Sequence, residues 1–213
     1  MNTREVMGIS PVIPVVVVDD ASDAVPLARA LHEGGVDVIE LTLRSEAALA
    51  AIEAIATEVP EIVIGAGTVL TRRDAEKSID AGARFLVSPG APTDLLDAAH
   101  GWSIPWLPGV STATEAMNVS NAGHTELKFF PASTSGGAAA LGALSGPLPH
   151  LTFCPTGGIS SSNAIDYLRL PNVACVGGSW LTPRNLVQAK EWAAVSELAR
   201  AAAGLRSSVR QHC

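Results

Sequence analysis

Apolar, largely β-branched runs of four to eight residues recur along the chain at 12–18, 36–41, 62–66, 84–87, 104–107, 126–129, 151–154 and 173–176. Within each run the hydrophobicity is continuous rather than alternating, which marks strands covered on both faces, as in a parallel sheet. Amphipathic patterns of helical period fill the intervals. The segment 21–34 starts after Asp19 and Asp20 and stops on Gly34 and Gly35, while Ser45 with Glu46 and Thr71 with Asp74 read as the starts of the next two helices. No linker, low-complexity tract or composition break interrupts the repeat. Eight βα units predict an α/β fold of the (β/α)8 TIM-barrel type. It would span 1–213 as one domain, with strands over about 12–176, a C-terminal helix over about 183–204 and a short tail. An open doubly wound sheet would carry Gly-x-Gly-x-x-Gly after its first strand, and the chain has Val18-Asp19-Asp20-Ala21 there.

Only 16% of the residues are charged and 4% aromatic, an apolar surplus that predicts contacts between subunits. A net charge of −7 with no Lys/Arg cluster argues against nucleic acid or an anionic membrane as partner. Any anionic small molecule must therefore be held locally. Cys154 and Cys175 sit in apolar strand-like runs and Cys213 ends the chain, so no zinc or disulfide spacing is present, and buried thiols fit a reducing compartment. The apolar run 11–18 is too short and proline-rich to span a bilayer, and 1–10 carries Arg4 and Glu5 without a signal-peptide core. The expectation is a soluble cytoplasmic protein. His32 and His100 fall in or after helices, His124 and His150 precede strands, and His212 lies in the tail. No metal site and no cofactor are expected from that scatter.

Lys128 stands inside an apolar run, Thr-Glu-Leu-Lys-Phe-Phe-Pro-Ala at 125–132, whereas Lys77 and Lys190 lie in polar helical contexts. Along a strand Glu126, Lys128 and Phe130 share one face and Leu127 and Phe129 the other. An amine held in an interior loses hydration, which favours its neutral, nucleophilic form and equips it for Schiff-base formation with a ketone. The alternative is a structural pair with Glu126 at a strand edge. Glu40 is a second charge in the middle of an apolar strand, on the face of Val38. If that face is inward, its carboxylate shares a layer with Lys128, as a proton shuttle or as a structural ion pair.

The predicted strand ends carry the remaining chemistry, as barrel enzymes require. Arg44 follows the second strand, suited to a carboxylate or to solvent. Thr68 follows Gly65 and Gly67, either as a ligand hydroxyl or as a turn residue. Gly157-Gly158 and Gly177-Gly178-Ser179 follow the last two strands, where backbone amides hold phosphate in many barrels and where turns also use glycine.

Eight motifs in order over roughly 11–183 resemble the 2-keto-3-deoxy-6-phosphogluconate (KDPG) / 4-hydroxy-2-oxoglutarate (KHG) aldolases. They are Pro-Val-Ile-Pro-Val at 11–15, Glu-Leu-Thr-Leu-Arg at 40–44, Gly-Ala-Gly-Thr-Val-Leu at 65–70 and Ser-Pro-Gly at 88–90. Pro-Gly-Val-Ser-Thr at 108–112, Leu-Lys-Phe-Phe-Pro-Ala at 127–132, Pro-Thr-Gly-Gly-Ile at 155–159 and Gly-Gly-Ser-Trp-Leu at 177–181 complete the set. The resemblance implies a homotrimeric class I aldolase in which Lys128 forms the Schiff base and Glu40 moves protons. It further implies that Arg44, Thr68, Pro89 and Phe130 contact the keto acid and that Gly157, Gly158, Gly178 and Ser179 take the phosphate. Its substrates would be KDPG, with pyruvate as product, or the unphosphorylated KHG. Where the family commonly has an acidic residue after Pro-Ala, this chain has Ser133-Thr134-Ser135. A phosphosugar epimerase or isomerase, and a non-enzymatic phosphometabolite-binding barrel, are the rival readings, and neither has a use for Lys128 in that setting.

Overall fold

A computed structural model describes residues 1–205; His212 and Cys213 lie outside the described residues. The chain opens with α1 (Thr3–Ile9) and β1 (Val12–Val16), then a short 3-10 turn and α2 (Ala24–Glu33), β2 (Val38–Thr42), α3 (Ala48–Glu58), β3 (Val63–Gly67) and α4 (Arg72–Asp80). It continues through β4 (Phe85–Val87), α5 (Thr93–Ala99), β5 (Trp106–Leu107), β6 (Gly109–Val110), α6 (Ala113–Asn121) and β7 (Glu126–Phe129). The last elements are α7 (Gly137–Ala143), β8 (Thr152–Pro155), α8 (Ala164–Leu168), β9 (Val176–Gly178), α9 (Arg184–Gln188) and α10 (Trp192–Ala203).

All pairings among these strands are parallel, in one sheet ordered β5-β4-β3-β2-β1-β9 and another ordered β6-β7-β8. The α/β class expected from the pattern is therefore present. Pro108 separates β5 from β6 because it has no N–H for a ladder, yet its carbonyl still accepts from Lys128 N at 2.8 Å. Isolated parallel bridges, Phe153 with Val173 and Thr156 with Gly177, link the sheets on the other side.

Alternation along the strands divides the core into two layers. Ile39, Leu41, Ile64, Leu86, Leu127 and Phe129 pack outward against the helices. Ile13, Val38, Val63, Phe85, Val87 and Leu107 face inward in a separate cluster. Both layers are buried, which is why the strands read as unbroken apolar runs.

The departures from expectation come from long-range contacts. Helix α1, unforeseen, is started by an Asn2–Glu5 capping box and inserts Val6 and Met7 into the inward cluster. Its Arg4 takes Glu126 (Nε to Oε1, 2.9 Å), so the pair of Lys128 with Glu126 is not formed. The Thr71–Asp74 capping box is present, but α3 starts on Ala47 without a side-chain cap instead of on Ser45. The run at 173–176 makes only the isolated bridge of Val173 to Phe153 before β9 begins at Val176, whose N–H reaches Pro11 O at 2.9 Å. The expected helix over 183–204 is two helices. Arg184 and Lys190 reach Asp19 and Asp23, whereas Ser196 of α10 donates to Ala30 O on α2 at 2.9 Å. The chain turns between these anchors at Lys190, with φ +56°.

Candidate active site

Glu40 lies on β2 in register with Val15 and Gly65, and Lys128 on β7 in register with Gly109 and Cys154. Both side chains point inward above the apolar cluster, and Lys128 Nζ donates to Glu40 Oε1 at 3.1 Å. The two residues are only 5% and 3% exposed. An amine and a carboxylate in contact in a dry interior can exchange a proton and free the amine lone pair for attack on a carbonyl. The ring of Phe130 lies 5.4 Å from Lys128 Nζ, within cation–π range. Gly67 makes the approach of Glu40 possible, since a Cβ there would stand 2.6 Å from Glu40 Cγ and closer still to Oε1.

A cleft of about 170 Å³ opens at the strand ends and is lined by Arg44, Phe130, Gly157, Gly158, Gly178 and Ser179, together with Thr156. Six of the ten residues singled out from sequence thus line one cavity. Arg44 is held there by Thr42, whose hydroxyl accepts from Arg44 Nε at 3.1 Å and donates to Val16 O at 2.9 Å. The only sequence signal for Thr42 is its place two positions from Glu40 on the same strand face. Gly157 and Gly158 take φ of +99° and +72°, conformations that side chains disfavour. Their carbonyls accept from Ser133 N at 3.0 Å and Asn163 Nδ2 at 3.0 Å, which fixes the peptide planes. Ser133, at the departure from the family pattern, packs directly against Gly158. Gly178 lies under the Trp180 ring, so a side chain there would disturb that packing whatever the cleft holds.

Thr68 and Pro89 do not line this cleft. Thr68 follows Gly67 with φ +59°, a strained setting for a β-branched residue and one concentrated at functional sites. Its neighbours are clamped by Leu43 N to Gly67 O at 2.9 Å and Val69 N to Val87 O at 3.1 Å. Pro89 opens on a larger cavity of about 350 Å³ that also contacts Ser111 and Glu115. Neither lining includes Lys128 or Glu40, but Phe130 of the smaller cleft lies 5.4 Å from Lys128 Nζ and joins that cleft to the buried pair. Among the described residues no group of three or more His, Cys, Asp or Glu could hold a metal ion, and no helix is long and apolar enough to cross a membrane.

Fold and site define a parallel α/β protein in which a buried lysine–carboxylate pair sits beside a glycine-lined cleft at the strand ends. The family model "KDPG and KHG aldolase" matches residues 3–198, and the chain belongs to that family. It is 50% identical over 202 residues to a 2-dehydro-3-deoxy-phosphogluconate aldolase of Pseudoalteromonas atlantica, covering 95% of this chain and 94% of that one. To the KHG/KDPG aldolase of Escherichia coli K12 it is 48% identical, with 94% of each chain covered. A KDPG aldolase structure from Legionella pneumophila, with pyruvate captured as a covalent carbinolamine, superimposes with a TM-score of 0.92 at 46% identity, covering 94% and 97% of the two chains.

Proposed function

We propose that this protein is a class I aldolase that cleaves KDPG to pyruvate and glyceraldehyde 3-phosphate through a Schiff base on Lys128. The observation that carries this reading is the buried contact of Lys128 Nζ with Glu40 Oε1 at 3.1 Å. Glu40 takes a proton from Lys128, whose lone pair attacks the C2 ketone to give a carbinolamine. Glu40 returns the proton to the C2 hydroxyl, which leaves as water, and a protonated imine remains. The carboxylate then removes the C4 hydroxyl proton, the C3–C4 bond breaks, and its electron pair passes into the imine to form an enamine. Glyceraldehyde 3-phosphate departs, C3 is protonated, and water hydrolyses the imine to release pyruvate and the free lysine.

In this reading Arg44, Thr68, Pro89 and Phe130 hold the keto acid, and Gly157, Gly158, Gly178 and Ser179 hold the phosphate. The shared cleft of Arg44, Phe130 and the glycine loops supports this division, as does the strained backbone of Thr68. KHG is a second substrate on the same lysine, an assignment favoured by the dual name of the E. coli relative. We further read the two sheets as one single-domain (β/α)8 barrel, joined through Pro108 and through the bridges at Phe153 and Thr156. The working unit is a cytoplasmic homotrimer, a state supported by the low charged fraction and by the exposed Leu70 and Met117.

Borohydride reduction in the presence of pyruvate tests the reaction class. One covalent adduct per chain is expected, and peptide mapping should place it on Lys128; a label on Lys77 or Lys190, or none, refutes the assignment.

A further inference from the structure

We propose that Trp106 is a positioning residue for the keto-acid end of the site, acting through the segment Ser88–Pro89; the inference rests on the reading above that Pro89 meets the bound keto acid. Trp106 lies on β5 opposite Leu86 and is 3% exposed. Its ring is held edge-on by Trp102 at 5.4 Å and by His124 at 5.2 Å. A buried indole N–H needs an acceptor. It finds one in the hydroxyl of Ser88, 3.0 Å away, and Ser88 is fully buried.

Ser88 immediately precedes Pro89, which has no N–H of its own to anchor it. Beneath this segment lies Gly109, where even a Cβ would come within 2.6 Å of Ser88 O and closer to Pro89. Residues 89–92, and Gly109 with them, also border the open cavity of about 350 Å³, so packing does not back the segment on that side. The floor at Gly109, the long backbone bond from Ser88 N to Leu107 O at 3.3 Å and the Trp106–Ser88 hydrogen bond together hold Pro89 in place, and the last is the one that fixes the Ser88 side chain. Lys128 and Glu40 stand on other strands and keep their contact without that bond. Its loss weakens capture of the keto acid and spares the proton transfers.

The test uses Trp106→Phe, which keeps the ring and removes the donor, and Ser88→Ala, which leaves the donor without its acceptor. Each should raise KM for both KDPG and KHG, and the pyruvate concentration for half-maximal borohydride trapping, by roughly three- to tenfold, the worth of one buried hydrogen bond. kcat should stay within about twofold, and the double variant should not exceed the larger single effect, because both remove the same bond. A purely structural role would lower Tm and leave KM unchanged, and that result overturns the proposal, as does additivity in the double variant. Pro89→Ala separates the two levels of inference. If it raises KM while Trp106→Phe does not, the positioning role is wrong and the site reading stands. If Pro89→Ala leaves pyruvate capture untouched, the site reading fails at Pro89 and the proposal fails with it.

Discussion

Gly67→Ala is a one-methyl perturbation of the proposed chemistry. In the structure a Cβ at residue 67 would lie 2.6 Å from Glu40 Cγ, 2.8 Å from Cδ and nearer still to Oε1, whereas ordinary contact begins at 3.4 Å. Gly67 ends a regular strand and its φ is not positive, so alanine brings no backbone penalty and the side chain of Glu40 must yield. The carboxylate has to retreat by about an ångström, which stretches the 3.1 Å contact with Lys128 beyond hydrogen-bonding range. Misplacement of a catalytic group by that amount costs on the order of 10²-fold in rate. Steady-state cleavage of KDPG should therefore fall about a hundredfold in kcat, for the phosphorylated and unphosphorylated substrates alike, while Lys128 remains able to be labelled by borohydride and pyruvate on longer incubation. Circular dichroism and thermal melting must show the variant folded. A folded Gly67→Ala enzyme with near-normal kcat would refute the idea that Glu40 works from the position it occupies beside Lys128.

Glu40→Gln keeps the shape of that side chain but removes its proton-accepting charge, and turnover should drop by ~10²–10⁴-fold, the range for loss of a general acid–base; a near-normal rate would make Glu40 structural. Ser179→Asp places a negative charge in the glycine-lined cleft and should lower kcat/KM for KDPG at least tenfold more than for KHG, since like charges repel at close range; equal losses would remove the phosphate from this cleft. His124 has its pKa held below the ordinary value of 6.5, first by burial and then by the neighbouring His100, against a raising effect of Glu126. The unfolded chain then takes up that proton first, so melting temperatures should decline as pH falls below about 6.5. His124→Phe should flatten the decline, and an unchanged pH profile would count against it.

The hydrophobic pattern by itself determined the α/β class and located most of the strands, because a strand buried on both faces is apolar along its length; it stopped short of β6 at Gly109–Val110 and met β9 only at Val176. It also singled out Lys128 and Glu40, since a charge inside such a run is chemically conspicuous on one line of sequence. Glycine at 157–158 and 177–178 was equally legible, as its abundance at strand ends is a local property. The choice of partner for Lys128 stayed open between Glu40 and Glu126: Glu126 is two residues away on the same strand face, and it is Arg4 of α1 that takes it, while the fold brings Glu40 across from 88 residues distant. Helix ends and breaks were decided in the same way. The Thr71 cap satisfies its own turn and could be read directly, whereas the break at Lys190 answers to Asp23 on a distant loop. Nor does any local signal tie Trp106 to Ser88, or reveal that Gly67 is empty because Glu40 fills the space. Those facts belong to the packing of adjacent strands, which sets the distance between groups that the chain keeps far apart.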